Sequence, residues 1–239
     1  MQISIVIPAF NEEGNIGPLV TETLGVIPED MLGEIIVADD CSTDTTRDVV
    51  LEIAKTNPKV RLIRHETNAG QSAALRSGVL EARFPVIGTM DGDGQNVPEN
   101  IPDMVAKLSL DHGPHLIGGV RAKRRDTLSK RMASKSANAI RRFVLRDDCP
   151  DTGCGIKVFS RDIFVRLPFF SGLHRYLPAL FAANGYTCAY FDVKDRPRLT
   201  GQSKYTNFGR AMIGIYDLIG VGWLIRRSRN PGIKDLTDV

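Results

Sequence analysis

Residues 85–96 have the sequence PVIGTMDGDGQN, a short apolar run that ends in two aspartates with one glycine between them. A short apolar run bounded by turn residues is typical of a strand that is buried on both faces of a parallel sheet. Ligands of such sheets bind beyond the carboxyl ends of the strands, which is where Asp91 and Asp93 stand. Because Asp and Gly also favour ordinary turns, the rest of the sequence has to decide between a turn and a ligand site.

The first 120 residues repeat the alternation of an apolar run and a helical pattern. This alternation predicts an α/β fold with a Rossmann-like, mostly parallel central sheet and helices on both faces. The pattern weakens after Val120, and the remainder is expected to elaborate the same domain. The predicted strands are residues 3–7, 34–38, 60–64, 85–90 and 115–120, and the predicted helices follow near residues 16–27, 43–55, 71–82 and 98–110.

The segment NAGQSAALRSG, residues 68–78, opens the third predicted helix. Gly70, Ala74 and Gly78 recur every four residues, so they share one face of that helix and predict close packing against another element. Asn68 stands at the start of the helix, where it either caps the helix or approaches a ligand.

The composition is that of a globular protein whose charge is unevenly distributed. The 239 residues are 42% hydrophobic and 25% charged, with a net charge of +3. Residues 121–146 contain ten Lys or Arg against one acidic residue. Such a cluster predicts an anionic partner or, alternatively, a solvated basic helix face. Four scattered cysteines and an N-terminus unlike a signal peptide favour a reducing compartment.

The DGDGQN segment suits a hard divalent cation. Asp91 and Asp93 offer carboxylates and Gln95 offers an amide oxygen, and Mg²⁺ or Mn²⁺ binds such oxygens together with substrate phosphates. An EF-hand is disfavoured, because position twelve of a loop that starts at Asp91 is Pro102. The first strand continues into PAFNEEGN rather than G-x-G-x-x-G, and no P-loop motif is present, so dinucleotide and P-loop nucleotide sites are disfavoured.

Taken in order, VIPAFNEE, VADDCSTDTT, NAGQSAALRSG and DGDGQ resemble the motifs of family 2 glycosyltransferases with the GT-A fold. The later stretches DTGCGIKVFSRDIF and RPRLTGQSKY are similar to the branch that contains dolichyl-phosphate mannose synthase and bacterial polyprenyl-phosphate glycosyltransferases. The resemblance covers roughly residues 3–205. It implies inverting transfer of a sugar from a UDP- or GDP-sugar to a polyprenyl phosphate.

The resemblance also implies a role for each matching donor-side residue. The metal against the donor diphosphate would be held by Asp91, Asp93 and Gln95. The motif R-x-x-G-x-S-K would close over the donor phosphates through Arg198, Ser203 and Lys204, and two cations and a hydroxyl suit that task. The nucleotide would contact Pro8, Phe10, Glu12, Val37 and Asp39.

On the acceptor side, the resemblance assigns the acceptor phosphate to Arg121, Arg131 and Ser134. A phosphate monoester is already anionic near neutral pH, so it needs little help from a general base. Positioning and charge stabilisation would then carry most of the catalysis. Asp151, in the loop PDTGCG, is a candidate either to accept a proton or to orient a cation.

A polyprenyl phosphate lies in a bilayer, so a membrane surface is an expected partner and a nucleic acid is not. Residues 127–145 are compatible with a basic amphipathic helix, and residues 211–225 are nearly all apolar but too few to span a bilayer. Trp223 followed by arginines suits an interfacial anchor. We expect a transferase domain at residues 1–208, and at residues 209–239 a C-terminal helix and tail that bind the membrane or mediate homo-oligomerisation. The protein is expected to be peripheral, on the cytoplasmic face of a membrane.

Two alternative functions stay open at the level of sequence. One is a soluble family 2 transferase with a sugar hydroxyl as acceptor, which needs a strong general base, and Asp151 is the best candidate. The other is a non-catalytic scaffold that binds a nucleotide sugar or a lipid.

Overall fold

The computed structural model describes residues 1–121, 141–197 and 207–228, with the side chains of the last range from residue 214 onward. These residues contain one mixed sheet of seven strands. The strands are β1 Ile3–Ala9, β2 Leu32–Asp39, β3 Val60–Arg64, β4 Val86–Thr89, β5 Leu116–Arg121, β6 Lys157–Ser160 and β7 Cys188–Val193.

Helices connect and cover the strands. The described helices are α1 Glu13–Val26, α2 Thr46–Thr56, α3 Gln71–Glu81, α4 Asn100–Lys107, α5 Arg161–Val165, α6 Leu177–Ala183 and α7 Asn207–Arg227, with a 3₁₀ turn at Leu173–Arg175. Residues 141–145 are helical as well. The five predicted strands and the four helices between them are all present, with ends that differ by a few residues from the sequence pattern. The prediction that residues 1–208 form a unit separate from residues 209–239 stays a prediction.

The strand order is β3-β2-β1-β4-β6-β5-β7. The neighbours β3, β2, β1 and β4 are parallel, β6 is antiparallel to both β4 and β5, and β7 is parallel to β5. Strand β6 therefore runs against the other six, and the predicted mostly parallel sheet is confirmed. Because β6 runs in the opposite direction, it begins at the edge of the sheet where the other strands end. The loops after β1, β2, β4 and β5 and the segment before β6 consequently meet at one edge.

The core has a layer on each face of the sheet, as the continuous apolar strands predict. On one face, Ile5 and Ile7 of β1 pack in a cluster with buried residues of α1, α2 and α4. On the other face, Val6 packs in a cluster with buried residues of α3, α5 and α6. Val221 of α7 belongs to this second cluster, so the C-terminal helix is packed onto the domain along one side.

Helix α3 lies close against β1. A Cβ atom built on Gly78 would stand 2.4 Å from Cγ1 of Val6, so a side chain at this position would push the helix away from the sheet. The predicted packing role is therefore confirmed for Gly78. Gly70 has a different role, because it is the N-cap residue of α3 and faces open space. Asn68 does not cap the helix and instead donates from Nδ2 to the Asp40 carbonyl at 3.0 Å.

Within the described ranges, no helix combines the length and the apolar character needed to cross a membrane. Helix α7 begins four residues before the apolar segment that the sequence singles out. All four cysteines are free thiols.

Candidate active site

Asp39 ends β2 at the edge where the polar loops meet, and its side chain is buried. Its Oδ1 accepts a hydrogen bond from the Ser42 backbone N–H at 3.0 Å. Arg64 Nε forms an ion pair with Oδ2 at 3.3 Å, but no group of the described residues donates a hydrogen bond to this buried oxygen. A buried acceptor that lacks a donor suits a hydroxyl or N–H of a ligand, as the nucleotide assignment of Asp39 requires.

The neighbouring Asp40 has a structural role. Its carboxylate accepts hydrogen bonds from the backbone N–H groups of Ala69 and Gly70, at 2.9 and 2.7 Å, and lies 2.8 Å from His65 Nδ1. It therefore fixes the loop between β3 and α3, while Asp39 beside it keeps an oxygen for a ligand.

The other four residues predicted to contact the nucleotide lie in and just after β1, and in β2. Pro8 and Phe10 lie at the end of β1, and Glu12 is the N-cap residue of α1. The Glu12 Oε2 atom accepts a 2.6 Å hydrogen bond from Asn15 Nδ2. Val37 is fully buried in the core cluster of the first face. Its burial disfavours the predicted contact between this side chain and a base, because an interior strand position faces the core.

Asp91 and Asp93 follow β4, and both side chains are half-buried. Gln71 at the start of α3 donates from Nε2 to Asp91 Oδ1 at 2.7 Å, and the Gln95 backbone N–H donates to Asp93 Oδ1 at 3.1 Å. Burial and the neighbouring Asp93 charge raise the pKa of Asp91 to about 6, although the charges of nearby Lys157 and Arg121 act in the opposite direction.

This donor set fits a divalent cation that also binds a diphosphate. Two carboxylates that repel one another in a partly desolvated loop are stabilised by a cation between them. No three His, Cys, Asp or Glu side chains converge into a metal site anywhere in the described ranges. Mg²⁺ does not require three, because it commonly uses one or two carboxylates and takes its other ligands from substrate phosphates and water.

The segment before β6 forms the floor beneath Asp91. A Cβ atom built on Gly155 would stand 2.2 Å from Asp91 Oδ2, so the backbone of this segment lies directly against the carboxylate. Lys157 is buried and donates to the Cys154 carbonyl. A small cavity of about 20 Å³ lies between Asp91, Lys157 and His174. Burial lowers the pKa of His174 to about 3, so this imidazole is neutral at physiological pH.

Arg121 and Asp151 form a close ion pair beside this floor. Arg121 donates from Nε and Nη2 to the two carboxylate oxygens of Asp151, at 2.8 and 2.9 Å. Burial alone would raise the pKa of Asp151, but the hydrogen bonds and the charge of Arg121 outweigh it and hold the pKa below its usual value. A carboxylate in this state is a weak base, so the geometry favours the cation-orienting role of Asp151 over proton acceptance.

Five predicted site residues lie outside the described ranges. They are Arg131 and Ser134 of the predicted acceptor site and Arg198, Ser203 and Lys204 of the predicted phosphate clamp. Their roles stay predictions.

Several residues around the two aspartates had not been singled out from the sequence. The sequence pattern indicates Gln71 only as part of a helix start. Lys157 begins β6, and Gly155 lies in the segment just before it; the sequence pattern does not predict this strand. The stretch DTGCGIK, which carries part of the family resemblance, contains both Gly155 and Lys157 and is the sequence signal for them.

A comparison with protein-family models matches residues 4–167 to "Glycosyl transferase family 2". The chain belongs to glycosyltransferase family 2. The matched range contains β1 to β6 and the aspartates at the end of β4, so the family assignment includes the candidate site.

Related family members carry polyprenyl-phosphate names. The dodecaprenyl-phosphate galacturonate synthase of Rhizobium johnstonii is 30% identical over 236 residues, which are 97% of this chain and 70% of that protein. The undecaprenyl-phosphate 4-deoxy-4-formamido-L-arabinose transferase of Pectobacterium carotovorum is 31% identical over 91% of this chain and 66% of that protein. The resemblance to the polyprenyl-phosphate branch is confirmed by these relatives, and the chain matches about two thirds of their length.

Solved structures confirm the fold. Glucosyl-3-phosphoglycerate synthase from Mycobacterium tuberculosis, in complex with Mn²⁺, UDP and glucosyl-3-phosphoglycerate, superposes with a TM-score of 0.71 at 21% identity, over 94% of this chain and 79% of that one. The complex of this synthase with Mn²⁺ and UDP-glucose gives a TM-score of 0.70 at 20% identity, over 92% and 79% of the two chains. At this identity the likeness establishes the fold alone, which is the predicted GT-A architecture.

Proposed function

We propose that this family 2 glycosyltransferase moves a sugar, with inversion, from a nucleotide-diphosphate sugar to a polyprenyl phosphate. The acceptor class rests on one observation above all. Arg121, at the end of β5, lies close enough to Asp91 for its charge to lower the pKa of that carboxylate, and its own counter-ion is Asp151. A cation beside the candidate metal loop suits an anionic acceptor, whereas a hydroxyl acceptor requires a free base there.

The donor binds at the ends of β1, β2 and β4 in this proposal. Asp39 offers its buried oxygen to the nucleoside, and Asp91, Asp93 and Gln95 hold Mg²⁺ or Mn²⁺. When bound there, the ion would supply positive charge against the diphosphate that departs. Arg198, Ser203 and Lys204 contact the same phosphates. The base of the donor is uracil or guanine.

The acceptor phosphate binds Arg121 at the end of β5 in this proposal, and Arg131 and Ser134 bind the same phosphate. One phosphate oxygen forms a bond to the anomeric carbon while the bond from that carbon to the diphosphate oxygen breaks on the opposite side. The configuration is inverted, and no proton has to be removed from the attacking oxygen. Asp151 orients Arg121 by its two hydrogen bonds and does not take a proton.

The C-terminal helix is the proposed contact with the lipid surface. Its outer side exposes Ile215, Tyr216, Ile219 and Trp223, which are 52%, 72%, 65% and 63% exposed. These positions share one face of α7, while Val221 on the opposite side is packed against the domain. Arg226 and Arg227 follow in the last turn, where they suit anionic headgroups. We place the protein on the cytoplasmic face of a membrane, and pairing of two α7 helices is the competing role of this surface.

The test is a transfer assay with purified protein, a panel of UDP- and GDP-sugars, Mg²⁺ or Mn²⁺, and a short-chain polyprenyl phosphate. We expect nucleotide release that requires both the metal and the lipid phosphate. The lipid product should carry the anomeric configuration opposite to that of the donor, as measured by the NMR coupling of the anomeric proton.

Two results would contradict the proposal. Equal nucleotide release with and without the lipid phosphate would point to another acceptor. Binding of nucleotide without release from any donor of the panel would point to a scaffold.

A further inference from the structure

The segment that follows β7 forms hydrogen bonds with the loop that contains Asp93 and with the first residue of α4. The Arg196 backbone N–H donates to the Gln95 carbonyl at 3.1 Å, and Asn96 forms an antiparallel bridge with Asp195. Asn100 adds two hydrogen bonds to the backbone of Lys194, one to its carbonyl at 3.0 Å and one from its N–H at 3.1 Å. The two segments are 94 to 102 residues apart in sequence.

The Arg196 side chain joins this loop to a third element. Its Nε donates to the Gly94 carbonyl at 2.7 Å. Its Nη1 and Nη2 donate to the two carboxylate oxygens of Glu22 in α1, at 3.0 and 2.5 Å. Both side chains are less than a third exposed, so solvent screens the pair only in part. The planar guanidinium thus uses three of its donors in one fixed orientation.

These contacts act on the two residues that flank Gly94 in the chain. Asp93 precedes it and Gln95 follows it, and both are proposed metal ligands. Arg196 holds the Gly94 carbonyl with its side chain and the Gln95 carbonyl with its backbone. The Gln95 N–H in turn donates to Asp93 Oδ1. Arg196 therefore fixes the backbone of Gly94 and Gln95, and this backbone orients the Asp93 carboxylate through the Gln95 N–H.

We propose that Arg196 is a positioning residue for the divalent metal, and that Glu22 holds it in place. It touches neither donor nor acceptor in this role and acts through the backbone of the loop. The inference rests on the proposed metal assignment of Asp93 and Gln95. Residues that orient metal ligands affect the affinity for the ion, and their loss typically weakens binding about ten- to a hundredfold.

Arg61 offers a matched control. It makes the same kinds of contact, donating from Nη1 to Glu34 Oε2 at 2.6 Å and to the Glu81 carbonyl at 3.0 Å. Its side chain is 23% exposed, against 29% for Arg196. It lies at the beginning of β3, at the opposite edge of the sheet from the candidate site. Arg61→Met therefore removes a comparable ion pair without touching the metal loop.

The experiment measures Mn²⁺ affinity by electron paramagnetic resonance of the free ion, with UDP and with GDP, in the full chain. We expect Arg196→Met to weaken Mn²⁺ binding about ten- to a hundredfold, and Arg61→Met to change it less than about threefold. Arg196→Lys keeps the charge but not the fork of donors, so it should resemble Arg196→Met. Thermal unfolding in EDTA reports the loss of stability of each variant separately.

Equal Mn²⁺ affinity in wild type, Arg196→Met and Arg61→Met would overturn the proposal and leave Arg196 with a purely structural role. If Arg196→Met does not fold, Arg196→Lys and Glu22→Gln decide in the same way. A wild type that binds no Mn²⁺ with either nucleotide would overturn both this inference and the metal assignment. A wild type that binds Mn²⁺ but transfers no sugar to a lipid phosphate would contradict the proposed function alone, and the comparison of variants would still decide the role of Arg196.

Discussion

The parallel half of the sheet, β3-β2-β1-β4, and the mixed half, β6-β5-β7, meet at one edge, and they differ in the charges that they bring next to Asp91. The parallel half ends in Asp39, Asp91 and Asp93. The mixed half brings Lys157 and Arg121 to the same place. In the proposed function, the parallel half therefore provides the cation site and the mixed half provides the site for the anionic acceptor.

The same difference separates two carboxylates at this edge. Burial and Asp93 raise the pKa of Asp91 to about 6, whereas Arg121 holds the pKa of Asp151 below its usual value. A bound cation would therefore stabilise the charged form of Asp91, whereas the Arg121 guanidinium already stabilises the charged form of Asp151. The residue type alone does not decide the role of a carboxylate, because its neighbours determine which charge state is stable.

The largest expected effect tests the cation site of the parallel half. Asp93→Ala should lower the rate of sugar transfer about a thousandfold or more, because a lost metal ligand removes several kcal/mol of charge stabilisation. The measurement is nucleotide release at saturating donor and lipid. Asp103→Ala, an exposed carboxylate in α4, is the control and should keep the wild-type rate. An active Asp93→Ala variant would contradict the division of the edge into two halves.

The second prediction concerns the anion site of the mixed half. Arg121→Ala should lower kcat/KM for the lipid phosphate about a hundredfold, as expected for lost hydrogen bonds to a charged group. The affinity for the donor nucleotide with Mn²⁺ should stay within about twofold, because those contacts belong to the other half. If Arg121→Ala weakened donor binding as much as it lowered kcat/KM for the lipid phosphate, Arg121 would not belong to a separate acceptor site.

Asp151→Asn sharpens the same point. If Asp151 only orients Arg121, Asp151→Asn should lower kcat/KM for the lipid phosphate about tenfold, because the amide oxygen still accepts a hydrogen bond from Arg121. A general base would instead lose nearly all activity on this substitution. A loss as large as that of Asp93→Ala would therefore identify Asp151 as the base and revive a hydroxyl acceptor.

The fourth prediction is that Asp91→Asn stabilises the metal-free protein. Between about pH 4 and 6 the folded state holds a proton on Asp91 that the unfolded chain has released, because the pKa is raised from 3.8 to about 6. Stability therefore falls as pH rises through this window, and the cost is complete above it. Asp91→Asn should remove that slope and raise the free energy of unfolding at pH 7 by about 1–2 kcal/mol.

Urea unfolding in EDTA at several pH values measures this effect. Asp103→Asn is the control and should leave the pH dependence unchanged. Identical slopes in wild type and Asp91→Asn would mean that Asp91 is not destabilised by its neighbours.

The smallest expected effect lies on α7. Trp223→Ser should weaken binding to vesicles with anionic lipids about fivefold, because an exposed aromatic side chain contributes on the order of 1 kcal/mol at the interface. Leu51→Ser in α2 is the control, because Leu51 is also exposed, at 43%, but does not belong to this helix. Unchanged vesicle binding together with a loss of dimers in light scattering would assign the helix to self-association.

The sequence was informative about the parallel half because its signals are local. Each strand in that half is followed directly by its polar loop and helix, so the apolar runs and the residues after them predicted both the elements and the edge where Asp39, Asp91 and Asp93 lie. A parallel sheet places these strand ends together whatever the intervening helices contain. The family motifs are stretches of the same kind, and the family and fold they implied are confirmed.

Only the tertiary structure decided the neighbours of those residues. Strand β6 lies between β4 and β5 although it follows both in the chain, and this order brings Gly155 and Lys157 beneath Asp91. Arg196 contacts the loop that contains Asp93 from about a hundred residues further along the sequence. The burial of Val37 likewise follows from packing rather than from its motif. Hydrogen bonds, burial and charge act through space, so the state of each carboxylate was determined by residues whose proximity no local pattern encodes.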